Sequence, residues 1–320
     1  MIVLSGKDIV RLLSWPQVIG AVEAAVRAQG VGLCVVPERH HIEWQGNAFL
    51  SMPAVGMKSA GVKLVSVIPG NTARNLPVTN GVMVLNSAET GVPLAVLNAA
   101  TLTAVRTGAV GALGVKYMTP RDSASVGIVG CGIQGAWQAI FACAARPIRE
   151  VFALCRSPAS YEKFVDTVTL HAPGVRIERC KDARELLRRT GIVIAATTSL
   201  EPVLPDEPAL LAGKHFISVG SYRRAMQELP DSVYRLAGEI AVDSDAARHE
   251  AGDVVNAVDK GIVASAAVYL IGELVMGRRS IEAGRTTAYK TVGSALYDLF
   301  VAEAMFETAR RKGAGVDVAL

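Results

Sequence analysis

The alternation of apolar and polar positions changes character twice along this chain of 320 residues. Over residues 18–29, Ile19, Val22, Ala25 and Val26 fall on one helical face, with Ser5 or Lys7-Asp8 as the start signal of that helix. From 35 to 97 the period shortens. Runs rich in β-branched and aromatic residues at 42–44, 49–52, 62–68, 81–86 and 93–98 are separated by Pro69-Gly70-Asn71, Asn75-Leu76-Pro77 and Ala88-Glu89-Thr90-Gly91. Such runs, punctuated by turn residues, predict a mostly antiparallel sheet. A helical pattern follows over 99–118, and Pro120-Arg121-Asp122-Ser123 reads as a turn and a domain boundary.

Beyond that turn, apolar strand-length runs at 125–130, 151–154, 175–179, 192–196, 216–219 and 239–242 alternate with helical stretches such as 160–171 and 182–189. Regular strand–helix alternation predicts a doubly wound parallel sheet with helices on both faces. The pattern continues as a helix over 270–276. A final long helix over 289–311, rich in Ala, Leu and Phe, lies past the last sheet strand and is expected to pack back onto the first domain. The fold class is therefore α/β: a Rossmann-type domain over 120–288, and an α+β domain built from 1–119 with 289–320.

The junction of the first parallel strand with its helix carries the sharpest chemical signal. Gly130-Cys131-Gly132-Ile133-Gln134-Gly135 follows the apolar run Ser125-Val126-Gly127-Ile128-Val129 and opens an apolar helical stretch. In that context G-x-G-x-x-G is a dinucleotide fingerprint. The first glycine makes the tight turn, the second lets a pyrophosphate approach the backbone, and the third allows close helix–strand packing at a helix N-terminus that favours anions. NAD enzymes place an acid at the end of the second strand. Here that strand ends Leu154-Cys155-Arg156-Ser157. A guanidinium and a hydroxyl suit a 2′-phosphate, so NADP(H) is expected over NAD(H), which stays possible. Ala196-Thr197-Thr198 ends a later strand at the same sheet edge. The expected cofactor contacts are Thr107, Gly130, Gly132, Ile133, Gln134, Gly135, Arg156, Ser157, Ala196, Thr197, Thr198 and Val219.

Composition narrows the class. Hydrophobic residues make up 51% and charged residues 19%, enough apolar surface to argue against disorder. The net charge of +4 is scattered, without the basic runs or aromatic-interleaved patches of a nucleic-acid binder. No apolar run reaches membrane-spanning length, and the first residues lack a signal-peptide layout, so a cytoplasmic protein is expected. The 5 cysteines are scattered without C-x-x-C, which favours reduced thiols over disulfides, and no metal-ligand pattern is present. Lys63 sits within a β-rich run, where a lysine is either an edge-strand residue reaching solvent or a cleft residue.

Several segments in order resemble the ornithine cyclodeaminase/mu-crystallin family. They are Ser51-Met52-Pro53-Ala54, Gly61-Val62-Lys63, Pro69-Gly70-Asn71, Leu76-Pro77, the run from Leu85 through Glu89-Thr90-Gly91 to Pro93, and Arg106-Thr107-Gly108-Ala109. The glycine fingerprint, Val242-Asp243-Ser244, Glu250-Ala251-Gly252-Asp253 and Lys290-Thr291-Val292-Gly293 complete the set. The resemblance covers nearly the whole chain. It implies a homodimer formed through the first domain and a small amino- or imino-acid substrate. It assigns Arg106 to the substrate carboxylate, Lys63 to binding and proton transfer, and Arg39 to a third cationic contact. Members of the family include ornithine and lysine cyclodeaminases, alanine dehydrogenases, ketimine reductases, opine-type synthases and a non-enzymatic binder.

One loop separates these possibilities. Cyclodeaminases and alanine dehydrogenases of the family carry an aspartate two residues after the glycine matching Gly220. This chain reads Gly220-Ser221-Tyr222-Arg223-Arg224. A neutral phenol at Tyr222 is a poor substitute for a carboxylate that must hold an ammonium. The expectation is an NAD(P)H-dependent reductase of 1-pyrroline-2-carboxylate or 1-piperideine-2-carboxylate, with Arg39, Lys63, Arg106 and Tyr222 at the substrate. Ornithine cyclodeaminase is the alternative, followed by an opine-type synthase or alanine dehydrogenase, or an NADP-binding protein without activity.

Overall fold

The computed structural model describes residues 1–319. Its elements, in chain order, are β1 (Ile2–Leu4), α1 (Gly6–Leu12), α2 (Trp15–Gly30), β2 (His40–Trp44), β3 (Asn47–Val55), β4 (Ser59–Val67), β5 (Thr79–Ser87), β6 (Pro93–Asn98) and α3 (Ala99–Met118). Then come β7 (Ser125–Val129), α4 (Ile133–Ala145), β8 (Glu150–Leu154), α5 (Pro158–His171), β9 (Arg176–Arg179), α6 (Ala183–Arg189), β10 (Ile192–Ala195), α7 (Pro208–Leu211), β11 (His215–Ser218) and α8 (Asp231–Ala237). The remainder is β12 (Ile240–Val242), α9 (Ala247–Glu250), α10 (Gly252–Asp259), β13 (Val268–Leu270), α11 (Gly272–Val275), β14 (Thr287–Lys290), α12 (Ala295–Lys312) and β15 (Val316–Asp317).

Local capping corrects the expected first helix. Ser5 and Asp8 form a capping box that starts α1, and Ser14 with Gln17 forms a second that starts α2, so one expected helix is two. The final helix also begins later than its apolar pattern indicates. Thr287–Lys290 is a buried strand, Gly293 takes φ +79°, and Ser294 caps α12 by accepting from the Leu296 amide. A fully buried strand has no alternation of faces, which is why it read as part of the helix.

Two compact units divide the chain: Met1–Arg106 with Ser294–Leu320, and Thr107–Gly293. The divisions fall inside α3, rather than at the turn after it, and just ahead of α12, rather than at 289. The first unit is a sheet of order β15-β1-β6-β5-β4-β3-β2, antiparallel except for the β1–β6 pair. One face of β3–β5, bearing Met52 and Met83, is buried, and α12 packs on these strands and on α2. The second unit is a doubly wound parallel sheet of order β13-β12-β14-β11-β10-β7-β8-β9. The order reverses at the β7/β10 neighbours, the position at which open α/β sheets bind ligands beyond their carboxyl ends.

Candidate functional site

Two sites take shape, one in each unit. In the first, β4 lies between β3 and β5, so Lys63 is on a central strand and not an edge. Its register neighbours are Met52 and Met83, and only 2% of Lys63 is exposed. A lysine so buried requires a counter-charge. Asp298 of α12, wholly buried, supplies it: Lys63 Nζ donates to Asp298 Oδ2 at 2.6 Å. The other oxygen, Oδ1, accepts from Arg106 Nε at 2.9 Å, and Arg106 is itself buried on α3. Lys63 and Arg106, 43 positions apart in the sequence numbering, thus share one carboxylate. Arg39, half-buried ahead of β2, is close enough for its charge to act on Lys63.

Electrostatics in this cluster favour a mobile proton. Burial pulls the Lys63 ammonium down to about 8; Asp298 opposes that pull, and Arg106 and Arg39 add to it. Burial works to raise Asp298, but Arg106 and Lys63 outweigh it and hold the carboxyl below its ordinary value. Arg106 stays charged in any environment. The arrangement therefore offers one permanent cation for a carboxylate and one cation able to give up a proton near neutral pH.

The second site is a cavity of about 990 Å³ at the carboxyl ends of β7, β8 and β10. Gly130, Gly132, Arg156, Ser157, Ala196, Thr197 and Thr198 line it, as do Cys131, Cys155 and Ser160. Gly130 has φ +100°, and a Cβ there would press on the Ala196 carbonyl. A Cβ on Gly135 would collide with the Gly130 carbonyl oxygen, so helix and loop pack as the fingerprint requires. Gly132 is different: it is the N-cap of α4, has no side-chain cap, and a Cβ there meets nothing within 4 Å. The space in front of the helix N-terminus is open, and Gln134 Oε1, in the first turn, is buried without a hydrogen-bond partner. These features fit a dinucleotide pyrophosphate seated on α4.

Other expected cofactor residues are placed less directly. Ile133 is exposed, and Val219 is half-buried past β11 with its amide donating to the Ala195 carbonyl. Thr107 is buried, and its carbonyl accepts from Gln138 Nε2 of α4. One expectation is corrected. Cys131 and Cys155, read as free thiols, are joined by a disulfide across the cavity lining, their Cα atoms 5.4 Å apart, within the span a disulfide bridges. Cys34, Cys143 and Cys180 are free.

An aspartate at Gly132 gives a direct test of this site. Gly132→Asp leaves the fold intact because its side chain has room, but sets a carboxylate where the pyrophosphate belongs. Cofactor affinity, read by NADPH fluorescence titration, is expected to fall at least about 100-fold, since like-charge juxtaposition costs several kcal/mol. An unchanged dissociation constant would remove α4 from cofactor binding.

The loop after β11 is anchored by residues that sequence reasoning left without a role. Glu228 accepts from the amides of Thr197 (2.6 Å), Gly220 (2.6 Å) and Ser221 (3.2 Å) and from the Thr197 and Ser218 hydroxyls. Asp253, fully buried, accepts from the hydroxyls of Ser218, Ser221 and Tyr234 and from the amides of Glu228 and Leu229. Lys290 Nζ donates to Ser218 Oγ at 3.0 Å; burial pulls this ammonium below its ordinary value, against Asp253, Glu228 and Asp243. Asp243 accepts from the amides of Val292 and Gly293. The motif residues Asp243, Asp253 and Lys290 thus build the second unit. Tyr222 projects from this scaffold 48% exposed, with the Arg223 guanidinium 5.3 Å from its ring centroid.

Residues 1–313 match the ornithine cyclodeaminase/mu-crystallin family. The chain is 30% identical over 328 residues to the Δ1-pyrroline-2-carboxylate reductase of Bacillus cereus, covering 98% of each chain. The solved structure of the Thermococcus litoralis Δ1-pyrroline-2-carboxylate reductase, in complex with NADH and L-proline, matches with a TM-score of 0.91 at 31% identity, covering 99% of this chain and 100% of that one. An archaeal alanine dehydrogenase dimer with bound NAD matches with a TM-score of 0.90 at 30% identity, covering 100% and 99%. With residues 1–313 matched, this chain belongs to the ornithine cyclodeaminase/mu-crystallin family.

Proposed function

We propose that this protein is a reductase of cyclic 2-imino carboxylates that prefers NADPH, converting 1-pyrroline-2-carboxylate to L-proline and 1-piperideine-2-carboxylate to L-pipecolate. The observation that carries the reading is the loop after β11 taken with the buried cations. Lys63 and Arg106 are held as a carboxylate-binding, proton-giving pair. The loop, by contrast, offers a phenol at Tyr222 flanked by Arg223 and Arg224. Cyclodeamination must hold the side-chain ammonium of a diamino acid, and a neutral phenol supplies no counter-charge for it. A cyclic imine carries no such second amine. The likeness to the B. cereus and T. litoralis reductases supports the same reading.

In this mechanism the guanidinium of Arg106, assisted by Arg39, takes the substrate carboxylate and fixes the plane of the ring. When bound, the reduced nicotinamide supplies hydride to the imine carbon. Lys63 gives a proton to the ring nitrogen and regains one from solvent, so that imine, hydride and proton sum to the secondary amine. The decisive assay is oxidation of NADPH with 1-pyrroline-2-carboxylate. Ammonia release from ornithine without imine reduction would overturn the reading. Pyruvate plus ammonia belongs in the same panel, because the likeness to alanine dehydrogenase favours open-chain imino acids as the second reading.

The preference for NADPH rests on Arg156, Ser157 and Ser160, which line the cavity beyond β8 where an acid would repel a 2′-phosphate. The two solved relatives carry NADH and NAD. Arg156→Ala is expected to lower kcat/KM for NADPH by about 10–100-fold, the worth of one charge-assisted hydrogen bond, with little change for NADH. Equal losses with both cofactors would refute a 2′-phosphate contact. Assembly as a homodimer is supported by the outward face of β2–β5, where Ile42, Phe49, Leu64 and Val82 are exposed in one apolar patch. A sedimentation mass of one chain would refute that assembly.

A further inference from the structure

Resting on the reductase reading, we propose that Asp298 is a positioning residue that acts through Lys63, holding its ammonium charged and in place so that Lys63, and no loop carboxylate, gives the imine nitrogen its proton. The charges around Lys63 carry the argument. Asp298 faces it from α12 at 2.6 Å, Arg106 of α3 shares the same carboxylate, and Arg39 acts from ahead of β2. The flanking strands contribute apolar register neighbours, Met52 and Met83. Two buried cations therefore share one carboxylate where charges are poorly screened, and the charge of Arg39 also acts on Lys63.

Only one of those cations can relieve the excess. The two arginines keep their protons under all accessible conditions, whereas an ammonium deprotonates readily when buried. Remove the carboxylate, and Lys63 loses the counter-charge it shares with Arg106 and becomes a neutral amine. A neutral amine has no proton to donate. The family resemblance places a catalytic carboxylate at the loop position that Tyr222 occupies here, so in this chain the carboxylate that touches Lys63 is the one on α12. The proton balance is closed. Lys63 passes H⁺ to the ring nitrogen, hydride from the reduced nicotinamide forms the C–H bond as the C=N π pair moves onto nitrogen and leaves a C–N single bond, and water or buffer restores the ammonium.

The sign of the pH dependence follows. A proton donor works in its protonated form, so activity is full below the Lys63 pKa of about 8 and falls as pH rises through it. With Asp298→Asn, that alkaline limb is expected to move down by about one pH unit or more, the usual effect of losing an opposite charge at contact distance. Activity lost at pH 7.5 should return toward pH 6, which a merely unfolded or distorted site would not do. A direct reading comes from ¹³C NMR of protein labelled at lysine Cε, with the Lys63 resonance identified by Lys63→Arg. Its titration midpoint should lie near 8 in the wild type and lower in Asp298→Asn.

An unchanged alkaline limb and an unchanged Lys63 midpoint in the variant would overturn the proposal. If Asp298→Asn does not fold, the wild type decides: the Asp298 carboxyl carbon must shift at the same pH at which Lys63 titrates, and a carboxyl carbon blind to that titration overturns the coupling. If the wild type reduces no imino acid, the reductase reading fails, and the NMR titration still decides whether Asp298 sets the charge on Lys63.

Discussion

Lys63→Met is expected to lower kcat/KM for 1-pyrroline-2-carboxylate by about 10²–10⁴-fold, the range that a positioned proton donor contributes. Methionine matches lysine in length and suits a site flanked by Met52 and Met83, so the variant should fold. Asp298 keeps Arg106 as a partner, so no buried charge is stranded. NADPH binding should persist, because the lining of the cofactor cavity belongs to the 107–293 unit. Lys63→Arg sharpens the result. It restores the cation beside Asp298 but cannot release a proton, so it should recover substrate affinity without turnover. A loss below about tenfold in either variant would take Lys63 out of the proton-transfer step.

Asp253→Ala is expected to destabilise the protein by about 3–5 kcal/mol, since each of several buried donors left without its acceptor costs about 1–3 kcal/mol. The melting temperature should drop by roughly 6–20 °C on the usual scaling for domains of this size. Asp253 gathers three hydroxyls and two amides around one carboxylate, and alanine leaves those donors without their acceptor. Lys290 then retains Glu228 and Asp243 alone as nearby acids. Asp253→Asn should rescue little, since its amide nitrogen would face hydrogen-bond donors. Calorimetry decides the matter: a melting temperature within about 2 °C of the wild type would show that the network contributes little stability.

How much of this was legible beforehand depended on which signals are local. Strands β7 to β12 and the helix over 99–118 follow from short-range periodicity and stand within a residue or so of where the pattern put them. The glycine fingerprint was legible because Gly130 and Gly135 answer local steric demands, while Gly132 leaves the helix N-terminus open. Strand β14 was not, because a strand buried on both faces shows no alternation and runs into the apolar start of α12. The disulfide also escaped notice, since Cys131 and Cys155 are distant in sequence and meet only because β7 and β8 pair.

Asp298 was the larger omission, although a signal existed. A single acid between Tyr297 and Leu299 in an apolar helix must either face water or find a cation. Lys63 posed the converse question from within an apolar strand. Neither residue names its partner, because they are separated by 235 positions and only the packing of α12 on β4 joins them. Glu228 and Asp253 were hidden likewise: their acceptors serve a loop whose folded path no sequence pattern discloses.

The position of that one carboxylate has a consequence for how the protein is made. Lys63 and Arg106 emerge during synthesis well before Asp298, and the entire 107–293 unit is translated in between. Until α12 arrives, Lys63 on β4 and Arg106 on α3 lack the carboxylate they share, and burying them uncompensated is unfavourable. The nascent N-terminal segment therefore has an electrostatic reason to stay open until α12 arrives. The Lys63–Arg106–Asp298 cluster becomes complete only as one of the last acts of chain growth, and a ribosome that stalls before residue 298 leaves both cations without the carboxylate they share.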